Sequence, residues 1–384
     1  MAAPALAADL PGLRDFTVAD YLRIVAPGVP PALIERPALD AIVALAARLP
    51  GTLTSFCGFE CPLGTATARA DFLLCATREE GHAAVLAGRR ADSALAPALL
   101  AAPAWQRARD FCAAWLDDDH LLRAQLMNTW LEFDVTSHAQ ALTAPSLFYG
   151  THPPGADGHR ADAVAVQRAA LGVLAPAALE GARGRALEQF FAALPPGCHV
   201  FQVGVMWARE TPALRLCLRH ISAADLLTLL TRLAWPGPLD ELAALLAVLA
   251  PAAARIDVGV DLDTDLGAKL GLECYPGTDA AAGARLAALT ARLVAHGACT
   301  ADKAAALATY QGLSLPATTT DWPACLSALA ARQGRGLTSA LCRWVHHLKV
   351  VLEPGQPLTA KAYLAVEHHL LARLIRPKTT MIQR

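Results

Sequence analysis

IDVGVDLDTDLGAKLGLECY, residues 256–275, is the stretch that decides the fold. Ile256, Val258, Val260 and Leu262 alternate with Asp257, Gly259 and Asp261. After the turn-prone Asp265-Leu266-Gly267, Leu270, Leu272 and Cys274 alternate with Lys269, Gly271, Glu273 and Tyr275. A period of two means successive side chains point to opposite faces of a strand. Two such runs joined by a short turn read as an antiparallel hairpin. One face is apolar and must be covered. The other carries charges and glycines, and missing side chains there leave room for a ligand.

Four more pairs of runs show the same habit: Thr54–Pro62 with Ala70–Thr77, Trp130–Val135 with Ser146–Gly150, His199–Arg209 with Leu214–His220, and His346–Glu353 with Ala360–Val366. Turn chemistry again separates partners, as in Glu210-Thr211-Pro212 and Glu353-Pro354-Gly355-Gln356-Pro357. Long Ala- and Leu-rich tracts of helical period lie between the pairs: Ser93–Asn128, Ala161–Leu194, Ser222–Ala254 and Ala280–Ala331, with Val18–Leu49 ahead of them. The chain is a helix pair followed by a hairpin, five times over, read as one domain over residues 1–384. The expected fold class is α/β: amphipathic helices cover the apolar strand faces, and ten antiparallel strands close into a barrel, because closure removes the edges. The polar faces then line a lumen. Glu60, Glu132, Asp134, Gln202, Arg215, Arg219, Asp257, Asp261, Lys269, Glu273, Lys349, Lys361 and Tyr363 are expected inside it.

Composition narrows the function. The 384 residues are 54% hydrophobic and 17% charged, with 33 Lys plus Arg against 34 Asp plus Glu. A formal charge of -1 without a basic tract argues against nucleic acid and against a polybasic membrane anchor. No run reaches the roughly 18–20 apolar residues of a spanning helix, and MAAPALAADLPG at the N-terminus lacks a basic start. Ten scattered cysteines without CxxC spacing suit a reduced, cytoplasmic protein. No GxGxxG, GxxxxGK[ST] or GxSxG run is present.

This order of elements, with a polar lumen and Lys361-Ala362-Tyr363 on the last strand, resembles the ABBA (PT-barrel) prenyltransferases, including the dimethylallyltryptophan synthase type and the bacterial peptide prenyltransferases. The resemblance implies an aromatic prenyltransferase that moves an isoprenoid group from an allylic diphosphate to an aromatic acceptor, an indole- or phenol-type small molecule or a peptide side chain. It implies that Arg215, Arg219, Lys269, Lys349 and Lys361 hold the diphosphate, that Glu60 takes the acceptor's proton, and that Tyr275, Tyr363 and Trp130 shield the allylic cation beside Gln202 and Met206. No metal ligands are assigned, although Mg²⁺ beside the diphosphate is compatible with the pattern. Lys269 and Arg215 depart from the Lys-x-Tyr form, being followed two residues on by Gly271 and Cys217.

Each candidate has a structural alternative. The five cations can pair with Glu132, Asp134, Asp257, Asp261 and Glu273 across strands, which would make the barrel a non-catalytic binding or partner protein. Asp257 and Asp261, and the Asp117-Asp118-Asp119-His120 run, are weak metal signals better suited to ion pairs and helix caps. Of His346 and His347, regular alternation admits only one to the lumen. His368 and His369 are expected to open or sit in a last helix.

Overall fold

The computed structural model describes residues 6, 9–91, 93, 95–135, 142, 144–153, 160–209, 211–334 and 336–372. Glu210 of the third turn, and most of the first eight residues, lie outside them. Among the described residues the strands are β1 (Phe56–Pro62), β2 (Asp71–Ala76), β3 (Leu126–Phe133), β4 (Ser146–Thr151), β5 (His199–Val205), β6 (Leu214–Arg219), β7 (Arg255–Leu262), β8 (Leu266–Tyr275), β9 (Gly312–Ser314), β10 (Leu337–Leu352) and β11 (Thr359–Ala372). Each of β1 to β7 pairs antiparallel with the next. β8 pairs with β10, β10 with β11, and β11 returns to β1. Ten strands therefore close a barrel, and β9 adds three residues to the side of β10.

The expected hairpins are present, with shifted ends. β3 begins at Leu126, inside a tract expected to be helical. β10 and β11 run far beyond the segments read as strands, and His368 and His369 sit in β11, not in a helix. His368 pairs in register with Leu341, and its Nε2 lies 2.7 Å from Ser339 Oγ. A helix there would have left the long β10 edge unpaired.

The outward strand residues make the core. Leu131, Phe133, Val203, Leu216, Leu218, Val258, Val260, Leu270, Leu272, Leu348 and Val350 are all buried. Burying each such side chain contributes roughly 1.5–3 kcal/mol. Helices supply the cover with matching stripes. In Ala223–Arg232 the buried residues are Leu226, Leu229 and Leu230, and in Leu239–Leu249 they are Leu242, Leu245, Leu246 and Leu249. Both sets recur at the three- and four-residue spacing of one helix face. Local chemistry fixes where helices start. Ser222 Oγ accepts from Asp225 N–H, Thr300 Oγ1 accepts from Lys303 N–H, and Asp240 and Glu241 sit in the first turn of their helix.

One polar side chain ties a helix to the barrel rim. Lys303, on the helix Ala301–Tyr310, is 2% exposed, and its Nζ donates to Pro62 O at 2.6 Å and Thr67 O at 2.7 Å. No disulfide forms among the described residues, and no described helix is long and apolar enough to cross a membrane.

Candidate functional site

The inward strand faces enclose a cavity of about 310 Å³. Register sorts its lining into two ends. Where β1 meets the start of β11, and β6 the end of β7, lie Glu60, Lys361, Arg215 and Asp261. The opposite end carries rings: Phe56, Trp130, Phe201, Tyr275 and His346. Tyr363, opposite Glu60 on one side and His347 on the other, sits between the two.

At the charged end three cations converge. Lys349 and Lys361 are register partners on β10 and β11. A Cβ at Gly259 would find Arg215 Cδ and Lys349 Nζ both 3.6 Å away, so the two side chains meet over that glycine. A Cβ at Gly271 would lie 2.6 Å from Lys349 Cε, so this glycine gives the lysine its path into the lumen. Like charges directly opposite on a sheet repel, and acids from neighbouring strands answer them. Glu273 accepts from Lys349 Nζ at 3.1 Å, Asp261 forms a two-point pair with Arg215 (Nη2 to Oδ2 3.0 Å), and Glu60 accepts from both Lys361 and Tyr363.

The carboxylates differ in state. Burial alone would raise Glu60, but the charge and hydrogen bond of Lys361, the Tyr363 hydroxyl and Lys349 overcome it and hold the acid down at about 2. Glu273 is likewise pulled to about 2, against its burial, by the charge and hydrogen bond of Lys349 and by the Tyr275 hydroxyl. Glu132 lines the same end without a hydrogen-bond or ion-pair partner among the described residues. Burial and the neighbouring Glu60 charge push it up to about 7, against the opposing pull of Arg209, Lys349 and Arg215. That places Glu132 near neutrality.

The other two expected cations, Lys269 and Arg219, also line the cavity but stand away from this corner. Lys269 is at the rim, exposed, with Nζ 3.8 Å from Glu353. Arg219 is four residues from Arg215, about 13 Å along the strand. It faces the ring end, donates to Asp257 at 2.9 and 3.0 Å, and lies over Phe201 with its guanidinium carbon 3.8 Å from the ring centroid. Asp134 lies past the end of β3 and is tied to Arg209 at 2.9 and 3.0 Å; neither it nor the fully buried Asp257 lines the cavity.

Among the ring and polar candidates, Trp130, Tyr275, Tyr363 and Gln202 line the cavity. Met206 does not. It lies just past the end of β5, buried, with its sulfur 3.6 Å from Arg209 Nη1. The expectation that only one of His346 and His347 enters the lumen is overturned. A bulge between Val345 and His347 breaks the alternation, and both rings line the cavity. A second bulge between Val200 and Gln202 does the same for Phe201. Phe56 and Phe148 needed no bulge, since each has the parity of a lumen residue on its own strand, Glu60 and Gly150 respectively. Among the described residues no group of three or more His, Cys, Asp or Glu side chains is arranged to hold a metal ion. Asp118 of the acidic run instead pairs with Arg123 at 2.8 Å.

No protein-family model matches the chain, and no curated protein matches its sequence. Solved structures do. The chain is similar to 5-dimethylallyltryptophan synthase from Streptomyces coelicolor, at 18% identity and a TM-score of 0.46 over 91% of this chain and 97% of that one. It is similar to the prenyltransferase PriB, solved with L-tryptophan and dimethylallyl thiolodiphosphate, at 16% identity and 0.45 over 91% and 94%. It is similar to AnaPT from Neosartorya fischeri at 14% identity and 0.47 over 96% and 95%.

Proposed function

We propose that this barrel transfers a prenyl group from an allylic diphosphate to an aromatic acceptor. The observation that carries the reading is the gathering of buried Lys349 with the part-buried Arg215 and Lys361 at one end of the lumen, with the aromatic residues beginning at Tyr363 beside them. A diphosphate is costly to desolvate alone, and several fixed cations in a water-poor site lower that cost most where charge develops as it leaves.

The C–O bond between the allylic carbon and the diphosphate breaks, and both electrons leave with the diphosphate, held by the three cations. The allylic cation is stabilised over the faces of Tyr363 and Tyr275. The acceptor arene attacks it, forming the new C–C bond, and the ring then loses its proton to a carboxylate. The acid expected for this role from the sequence is Glu60. Its two firm partners make it a weak base, so Glu132 takes the proton and Glu60 places Lys361 and Tyr363.

Calorimetric titration with dimethylallyl thiolodiphosphate, with and without Mg²⁺, tests the reading. Binding that weakens 10- to 100-fold in Lys349→Ala and in Arg215→Ala supports it; an analogue that does not bind the folded protein defeats it. One observation favours a second reading. Each of the five expected cations already has an acidic partner, which suits a barrel filled by its own ion pairs that serves as a binding or partner protein. Under that reading no diphosphate binds.

A further inference from the structure

His346 and His347 take no part in the transfer step, yet both rings line the cavity. Their Nδ1 atoms lie 2.8 Å apart. Two ring nitrogens at that distance share one proton, so one donates and the other accepts. Burial keeps both rings neutral, holding His346 down at about 4 and His347 at about 3. The charges facing them are Glu273, Arg255, Arg219 and Glu367 around His346, and Glu273, Lys349 and Glu60 around His347. Two neutral imidazoles sharing one Nδ1 proton must be opposite tautomers.

The surroundings decide which is which. His347 is 7% exposed, stacked on Tyr363 at 4.1 Å between centroids and tilted against Tyr275 at 4.9 Å. Its Nε2 is buried and has no partner. An orphaned buried N–H is rarer than an orphaned acceptor, and leaving a donor unmet costs its full desolvation penalty. The bare lone pair therefore sits at His347 Nε2, and the shared proton belongs to His347 Nδ1. His346 accepts it and carries its own proton on Nε2. That Nε2 has no protein acceptor among the described residues, and unlike its neighbour's it is not sealed from the cavity.

We propose that His346 is a hydrogen-bond donor to the aromatic ligand, selecting an arene that bears an accepting oxygen, a phenol or naphthol, over an indole, whose N–H can only donate. His347 is the positioning residue that fixes the tautomer. This rests on the reading of the ring end as the acceptor's place, and its test needs no diphosphate.

The experiment is calorimetric titration of 1-naphthol and of indole into the protein alone, with ¹⁵N-histidine NMR on the same sample. The wild type is expected to prefer 1-naphthol, and His346→Phe, which keeps a ring but loses the donor, to reduce that preference about tenfold. The spectrum should show one Nδ1–H and one Nε2–H tautomer for the pair, with the Nε2–H resonance moving on 1-naphthol addition. In His347→Phe the His346 tautomers should mix. A preference unchanged in His346→Phe, or a His347 protonated at Nε2, overturns the proposal. Should His346→Phe not fold, the wild-type spectrum alone decides. A naphthol preference that depends on His346 in a protein that ignores diphosphate analogues leaves this proposal standing and removes the transferase reading. Diphosphate binding with a preference that His346→Phe does not alter does the reverse.

Discussion

Lys349 and Lys361 stand directly opposite each other on adjacent strands, and each is answered by an acid from the strand on its far side, Glu273 on β8 for one and Glu60 on β1 for the other. Two like charges inside a barrel hold this position only because the acids neutralise them, or because an anion does.

Removing one acid should therefore expose the repulsion. Glu273→Gln leaves a buried lysine unpaired beside another, and should cost about 3 kcal/mol in urea unfolding. The double variant with Lys349→Met should recover most of it. If the proposed site is real, inorganic diphosphate should stabilise Glu273→Gln more than the wild type, since the ligand then replaces the missing charge.

Glu132 makes a contribution to the pH dependence that comparison with Glu132→Gln isolates. Its pKa is raised from 4.5 to about 7 in the folded chain, by burial and by the neighbouring Glu60 charge. Between these values the folded state holds a proton on Glu132 that the unfolded state has released, so this residue's contribution to stability falls as pH rises through the window, against the rise that the buried neutral histidines give. The wild type and Glu132→Gln should match below pH 4.5 and diverge to roughly 3 kcal/mol in favour of the variant above pH 7. Urea melts across pH 4 to 8 read this directly. Prenyl transfer, measured as product by mass spectrometry, should rise with pH through about 7 and be lost in the same variant.

Two lumen-face glycines should respond differently to alanine. A Cβ at Gly58 would overlap the Leu364 carbonyl, and backbone cannot move aside cheaply. Gly58→Ala should cost about 3 kcal/mol or fail to fold. The Gly271 neighbour is the flexible end of Lys349. Gly271→Ala should stay within about 1 kcal/mol of wild type while weakening diphosphate binding about tenfold, because the lysine must leave its path. Thermal melts and titration separate the two effects.

Lys303→Met should destabilise the chain by about 3 kcal/mol, since it removes two charge-assisted hydrogen bonds and leaves the Pro62 and Thr67 carbonyls unmet. Amide exchange in residues 63–70 should quicken more than exchange in the barrel strands.

Alternation carried the sequence reading as far as regular strands allow. Residues 256–275 announce both faces of β7 and β8, and Gly259, Asp261, Gly271 and Glu273 all line the cavity. The reading fails where a strand gains a residue. Nothing in the run WVHHLKV marks His346 as bulged, because a bulge is a property of the register with β11 and not of the local pattern. Phe56 was legible, two pleats from Glu60 on the same face. Arg209 was not, since it reaches the lumen from a turn of 3-10 helix beyond β5. The state of Glu132 depends on which acids find partners, and strand parity says nothing of that.

The seam between β1 and β11 joins residues about 300 positions apart. During synthesis β1 must wait as a free edge until about 300 further residues have been made, and the loop closed by that pairing is correspondingly long. Long-range pairing of this kind slows folding and leaves strand edges exposed to other chains. The barrel is thus closed by β11, and cutting the chain before Thr359 removes not one element but the closure on which the other nine barrel strands depend.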